Sequence, residues 1–363
     1  MTATVDRPAR ASAPREFAAA VTTIMVKELR SRMRGRRAFI VLTAYLALLA
    51  FIAYAVYVVV APLARDAAQA GFGRFGFEQA NASALIGQSI FAVLSILQLV
   101  LVSVIAPAFT AGQISLEREK QTLDLLISTP LRPGAIVIGK LATALAFVVL
   151  MILAAVPISA IVLMYGGAQV IDIVRQQLVL LATAVGFGAI GIFASALMKR
   201  TQAATVLTYG LVLGAILGGA LLFAFWQELS RRDDPFGLQP NGGAPEQIRY
   251  LNPMVAMLDV VSYVEPSGGS RLTRPLYELF GADLGSGINP DEPVFGGGQL
   301  GAPAIDSRST GYWWGRVSIS FVLLAGILTL VSMRLVVPSG MRWALRARPG
   351  PWEPASIVEE PEP

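Results

Sequence analysis

Residues 112–140 read GQISLEREKQTLDLLISTPLRPGAIVIGK. They form a short polar island in which acids, bases and a leucine pattern are packed together. An apolar run lies on each side, at 82–111 and 141–166, and four more lie at 38–61, 176–198, 203–226 and 312–337. Each is long enough to cross a hydrocarbon core of about 30 Å, which takes roughly 20 helical residues. The runs do not alternate as barrel strands do, and helices satisfy their backbone hydrogen bonds within the segment. The sequence therefore predicts an all-α integral membrane protein with six transmembrane helices, and the island joins spans 2 and 3.

Composition agrees. The chain is 55% hydrophobic and 15% charged, against about 25% charged in soluble domains. It has no cysteine and no histidine, which removes disulfides, thiolate and imidazole catalysis and the usual zinc sites. The pI of 9.6 invites a nucleic-acid reading, but the charge map answers it. With both termini cytoplasmic, 19 Lys/Arg and 10 Asp/Glu fall inside, leaving 10 and 14 outside. That is the positive-inside pattern, and anionic membrane lipid accounts for the basicity without nucleic acid. The island then faces the cytoplasm of a multi-pass protein of the plasma or inner membrane.

Five regions follow. Residues 1–37 are a cytoplasmic N-terminus, 38–226 carry spans 1–5, 227–311 are a large extracytoplasmic loop, 312–337 are span 6, and 338–363 are a cytoplasmic tail. Between Pro14 and Arg34, Phe17, Val21, Ile24 and Met25 share one helical face while Lys27, Arg30 and Arg34 share another. This pattern fits an interfacial helix or a plain extension of span 1. Arg36-Arg37 before span 1 resembles an export signal, but the apolar run is too long for one and is expected to be retained. The outer loop holds 9 of the 22 prolines and 13 of the 34 glycines. Within it Asn252 can cap a helix starting at Pro253, with Met254, Met257, Leu258, Val261 and Val264 at helical spacing. An amphipathic helix lying on the outer membrane face or dipping into it is expected, and a shorter one at 275–280. Tyr312, Trp313 and Trp314 mark the outer end of span 6, and Arg334, Arg342, Arg346 and Arg348 its inner end.

Inside the spans the chemistry is sparse. Pro107 and Pro157 predict kinks in spans 2 and 3. Gly210, Gly214 and Gly218 put one smooth strip along span 5, which suits either a dimer seam or packing within the subunit. No Asp, Glu, Lys or Arg lies near the centre of a span, which argues against a proton-coupled transporter or an intramembrane protease. The mild polar residues Gln88, Ser95, Gln98, Ser103, Thr205, Thr208 and Tyr209 can line a path or bond between helices. Gly134–Leu141 nearly matches a phosphate loop. Leu141, however, replaces the hydroxyl residue that holds magnesium, and Pro130 and Pro133 stand where a strand is needed. Lys140 is instead expected to snorkel to headgroups.

The island itself predicts a short amphipathic helix. Leu116, Leu123, Leu126 and Ile127 fall near one face, and Glu117, Arg118, Glu119, Lys120 and Asp124 surround it. Ser128-Thr129-Pro130 ends it. Such a helix can receive a partner or lie passively on headgroups. EREKQTLDLLISTPLRPGAIVIGK resembles the cytoplasmic loop of permease subunits of the type-2 ABC exporter superfamily, of the form E-x-E-x-G-T-L-E-x-L-L-x-T-P-L before a helix opened by G-K. Lys27-Glu28-Leu29 and Leu251-Asn252-Pro253 are similar to the same family. The resemblance implies a half-transporter that pairs with a second permease, identical or related, and with separate ATP-binding cassette subunits that carry ATP and Mg. No cofactor is implied on this chain. By position, Glu117, Glu119, Lys120, Thr122, Leu123, Asp124, Leu125 and Leu126 would form the coupling helix that docks on the ATPase, with Thr129-Pro130 fixing its exit. Gln121 stands where the pattern often has glycine and Asp124 where it has glutamate; the first is expected to make the turn more helical. A membrane anchor or sensor with a ligand-binding outer loop, or a secondary transporter, is the alternative function.

Overall fold

The computed structural model describes residues 22, 36–70, 78–122, 133–233, 250, 252–264, 276 and 313–336. The expected N-terminal interfacial helix, the helix at 275–280, most of the 227–311 loop and the tail lie outside the described residues. Every regular element among the described residues is helical. In chain order these are α1 (Arg36–Ala70), α2 (Glu78–Thr110), α3 (Ser115–Glu119), α4 (Pro133–Ala154), α5 (Val156–Tyr165), α6 (Val170–Leu197), α7 (Thr201–Leu213), a π-helical segment Gly214–Gly218, α8 (Gly219–Asp233), α9 (Pro253–Val264) and α10 (Trp313–Val336). Six stretches are long and apolar enough to cross a membrane: Ala38–Arg65, Ala82–Glu119, Gly134–Tyr165, Val170–Leu197, Thr201–Trp226 and Trp314–Val336. All six expected spans are therefore present, and the chain is a multi-pass membrane protein.

Span 4 (α6) is the axis of the bundle. Of its most apolar window 78% is buried, against 11% for span 1 and 18% for span 5, so those two leave most of their surface for lipid. Span 4 packs chiefly on span 6 and span 2, then on span 3. Its small residues permit this. A side chain at Gly186 would collide with Phe321, whose ring meets Phe187 edge-on at 5.4 Å. A Cβ at Gly191 would lie 2.9 Å from Thr110 Cβ and 3.1 Å from the Ala111 nitrogen. Backbone cannot yield there as a flexible side chain can, so glycine sets the approach of span 2.

The prolines act differently from each other. Span 3 breaks at Ala155, and Pro157 sits in the first turn of α5, where its missing N–H costs nothing. Pro107 instead lies within α2, which ends one turn later at Thr110. Most of these intramembrane hydroxyls do not bridge helices. Ser95, Ser103, Thr205 and Thr208 donate to carbonyls one turn back on their own helix. Gln98 and Tyr209 do cross. Gln98 donates to Ser159 Oγ at 3.4 Å and accepts from Gln176 Nε2 at 3.1 Å, joining spans 2, 3 and 4. Tyr209 donates to Val104 O at 3.0 Å, joining span 5 to span 2.

The segment expected on the outer membrane face or dipping into it is buried against the spans. α9 forms as its cap predicts, with Asn252 Oδ1 accepting from Met254 N at 3.0 Å. It does not lie on the surface. Nine of its 12 residues are buried, Val255, Ala256 and Val260 among them, and it packs on spans 2, 4 and 6. At about 18 Å it is too short to cross a bilayer, and an element of this kind is tolerated at depth where protein surrounds it. Three polar contacts fix it. Asn252 Nδ2 donates to Ile216 O of the π segment at 3.1 Å. Asp259 Oδ2 accepts from Trp314 N at 2.9 Å, a carboxylate at the N-terminus of span 6. Tyr263 stacks under the Arg175 guanidinium, 4.6 Å from its ring centroid, and Arg175 pairs with Asp172 at 3.0 Å.

Candidate functional site

The polar island begins where span 2 ends. After a turn at 111–114 the chain enters α3, only five residues long, at the end of the bundle where spans 2 and 3, and spans 4 and 5, are connected. A helix start leaves backbone N–H groups without intrahelical partners. Here Ser195 of span 4 supplies one: its hydroxyl accepts from Ile114 N and Ser115 N, both at 2.9 Å.

The charged residues of α3 then reach three further elements. Glu117 Oε1 pairs with Lys140 Nζ of α4 at 2.6 Å, and the lysine side chain is only 4% exposed. The expected snorkelling of Lys140 is thus wrong: its ammonium turns inward to a carboxylate of the island. Arg118 donates from Nη1 to Met198 O at 3.2 Å and from Nη2 to Ala196 O at 3.3 Å, at the C-terminus of span 4, where a cation suits the last carbonyls. Glu119 accepts from Thr201 N at 2.7 Å and from Thr201 Oγ1 at 2.9 Å, at the N-terminus of span 5. There a carboxylate meets the positive end of the helix. Three consecutive charged residues therefore bind spans 3, 4 and 5 to the tip of span 2.

The helix stops sooner than its leucine spacing suggests. Gln121 has φ +56°, Gln121 N donates to Arg118 O, and Thr122 N donates to Glu117 O. This pair of bonds is the Schellman stop, whose left-handed residue is usually glycine. The expectation that Gln121 makes the turn more helical is overturned, and the glycine of the resembling pattern has a physical reason here. Leu116 and Leu123 cannot share one face of a single unbroken helix. Gln121→Gly should raise stability by about 1 kcal/mol, since a non-glycine residue in the left-handed region is strained by roughly that amount. Equilibrium unfolding in detergent measures it.

Of the expected docking residues, Glu117 and Glu119 are engaged within the chain, while Lys120 and Thr122 are exposed, as is Leu116. Leu123, Asp124, Leu125, Leu126, Thr129 and Pro130 lie outside the described residues. Gly134–Leu141, the near match to a phosphate loop, lies in α4, so its backbone serves the helix. On span 5 a side chain at Gly210, Gly214 or Gly218 would meet no described atom within 4 Å. Packing of that strip within the subunit is therefore not found among the described residues. The sequence offered no sign of Ser195, Thr201 and Lys140 as partners of the island.

No curated protein matches the chain. A family model does, over residues 22–335, and so spans the six membrane helices, the island and α9. By that match the chain belongs to the ABC-2 family of transporter proteins.

Proposed function

We propose that this chain is the membrane-spanning permease subunit of an ATP-driven exporter, powered by a separate ATP-binding cassette subunit that docks on the island. The family in general works with such a subunit. The observation that carries the reading is the geometry of α3. A displacement of Ser115–Glu119 acts at once on the end of span 2, on Lys140 of span 3, on the last carbonyls of span 4 and on Thr201 of span 5. An element that passively covers headgroups has no need of four such attachments.

The reading assigns two roles to the segment. Glu117, Arg118 and Glu119 transmit, because their side chains are spent on the bundle. Leu116, Lys120 and Thr122 point outward and begin the docking surface, which continues through Leu123–Leu126 to Thr129-Pro130. Both termini and the island are cytoplasmic, and the 227–311 loop faces out. ATP and Mg belong to the partner. The open strip at Gly210, Gly214 and Gly218 is the seam to a second permease, which puts span 5 under load from both its partner and Glu119.

The test is retrieval of the full chain from its native membranes, with Mg-dependent ATPase activity measured in the eluate. Lys120→Glu combined with Leu123→Asp should remove that activity while the chain still inserts. Activity that is undiminished in this variant sinks the docking claim.

A further inference from the structure

A cavity of about 410 Å³ opens between span 2, span 5 and the start of α9. Leu99, Val100, Val212, Leu213, Pro253 and Met254 supply most of its wall. The volume lies within the roughly 300–1,000 Å³ of small-ligand sites. Its depth is fixed by its residues. Leu99 and Val100 are central in the span Ala82–Glu119, and Val212 and Leu213 in the span Thr201–Trp226. Val104, Leu213 and Leu217 at its edge are exposed, so the mouth faces sideways into the bilayer.

The wall offers an occupant almost no polar bond. The Ser103 hydroxyl donates to Leu99 O, the Tyr209 hydroxyl to Val104 O, and the Asn252 amide to Ile216 O. No lining residue is charged. A sugar, an ion or a peptide backbone entering here would lose its hydration without replacement, at several kcal/mol per polar group. A helix of a second copy is about 10 Å across and cannot enter such a space. One wall is also the π segment, a geometry that recurs at functional sites. Its Ile216 carbonyl accepts a backbone N–H at the end of the segment and, at 3.1 Å, Asn252 Nδ2 as a second donor.

We propose that this cavity binds an acyl chain of a membrane lipid, entering laterally from the bilayer, and that the cargo of the permease is an amphiphile whose tail occupies it. Only the second clause rests on the transporter reading. Binding requires no ATPase, so it can be tested on the chain alone, and failure there leaves ATPase docking untouched.

The full chain is reconstituted in phosphatidylcholine vesicles containing a small share of phosphatidylcholine with a mid-chain diazirine. After irradiation, peptide mapping should find adducts at Leu99, Val100, Val212 and Met254 several-fold above those at Leu323 and Leu330. The latter two are exposed apolar residues of span 6 and report ordinary lipid contact. Val100→Trp should fill the cavity and bring its labelling down to the span 6 level, with unchanged labelling of span 6 and an unchanged melting temperature. Leu213→Trp, from the opposite wall, repeats the test if the first variant misfolds. Labelling no higher than on span 6, labelling unmoved by the Trp variants, or cross-links from the cavity residues to a second copy would each overturn the proposal.

Discussion

Replacing Glu117 by Gln is expected to destabilise the chain by about 3 kcal/mol, because it takes a carboxylate away from an ammonium that is buried. Lys140 Nζ lies 2.6 Å from Glu117 Oε1 and its side chain is 4% exposed, whereas that of Glu117 is 26% exposed. The two single variants should therefore be unequal. Lys140→Met leaves a carboxylate that water can partly reach, and should cost less than Glu117→Gln. The double variant should recover much of the loss, since it removes both charges of the pair together. A double-mutant cycle by unfolding in mixed micelles separates this coupling from the effects of the single changes. Additive losses would mean that the two groups are merely neighbours. The same variants bear on function. If Glu117 transmits and Lys120 with Thr122 docks, Glu117→Gln should keep ATPase association while weakening the link between nucleotide binding and movement of span 3. The absence of native cysteine makes that movement measurable with spin labels on introduced cysteines.

The six spans were legible because length of apolar run is a one-dimensional signal that sequence carries in full. α9 was legible as a helix for a similar reason: Asn252 and Pro253 start it, and Met254, Met257, Leu258, Val261 and Val264 keep its period. Its burial nearly all round was not expected, because that stripe says only that one face is buried. The other face, with Val255, Ala256 and Val260, is apolar too, and a helix apolar nearly all round belongs inside a bundle. The clamp on α3 is a different matter. Glu117 and Lys140 are separated by 23 residues, and Glu119 and Thr201 by 82. No local pattern links them, and charges in a polar island are ordinarily solvated. Gln121 shows the limit of propensity: a residue comfortable in helices occupies a left-handed stop because the attachments on each side fix where α3 must end.

Asn252→Leu is expected to cost about 1.5–2.5 kcal/mol, from two losses that can be told apart. The side chain does two things at once. Its Oδ1 caps α9 through Met254 N at 3.0 Å, and its Nδ2 donates to Ile216 O at 3.1 Å. A lost cap is worth about 1 kcal/mol, and the second hydrogen bond on Ile216 O, which keeps its backbone donor, about 0.5–1.5 kcal/mol. Serine caps about as well as asparagine but is too short to reach a carbonyl on another element. Asn252→Ser should therefore show the second loss nearly alone, about 0.5–1.5 kcal/mol. Amide exchange across Gly214–Ala220 decides whether the π segment depends on that bond. With the side-chain donor removed, Ile216 O is left to its backbone donor alone, and if the second bond shapes the segment, exchange in this stretch should change in both variants. An unchanged pattern would mean that the glycines hold the π geometry by themselves, and that Asn252 fastens α9 to span 5 without shaping it.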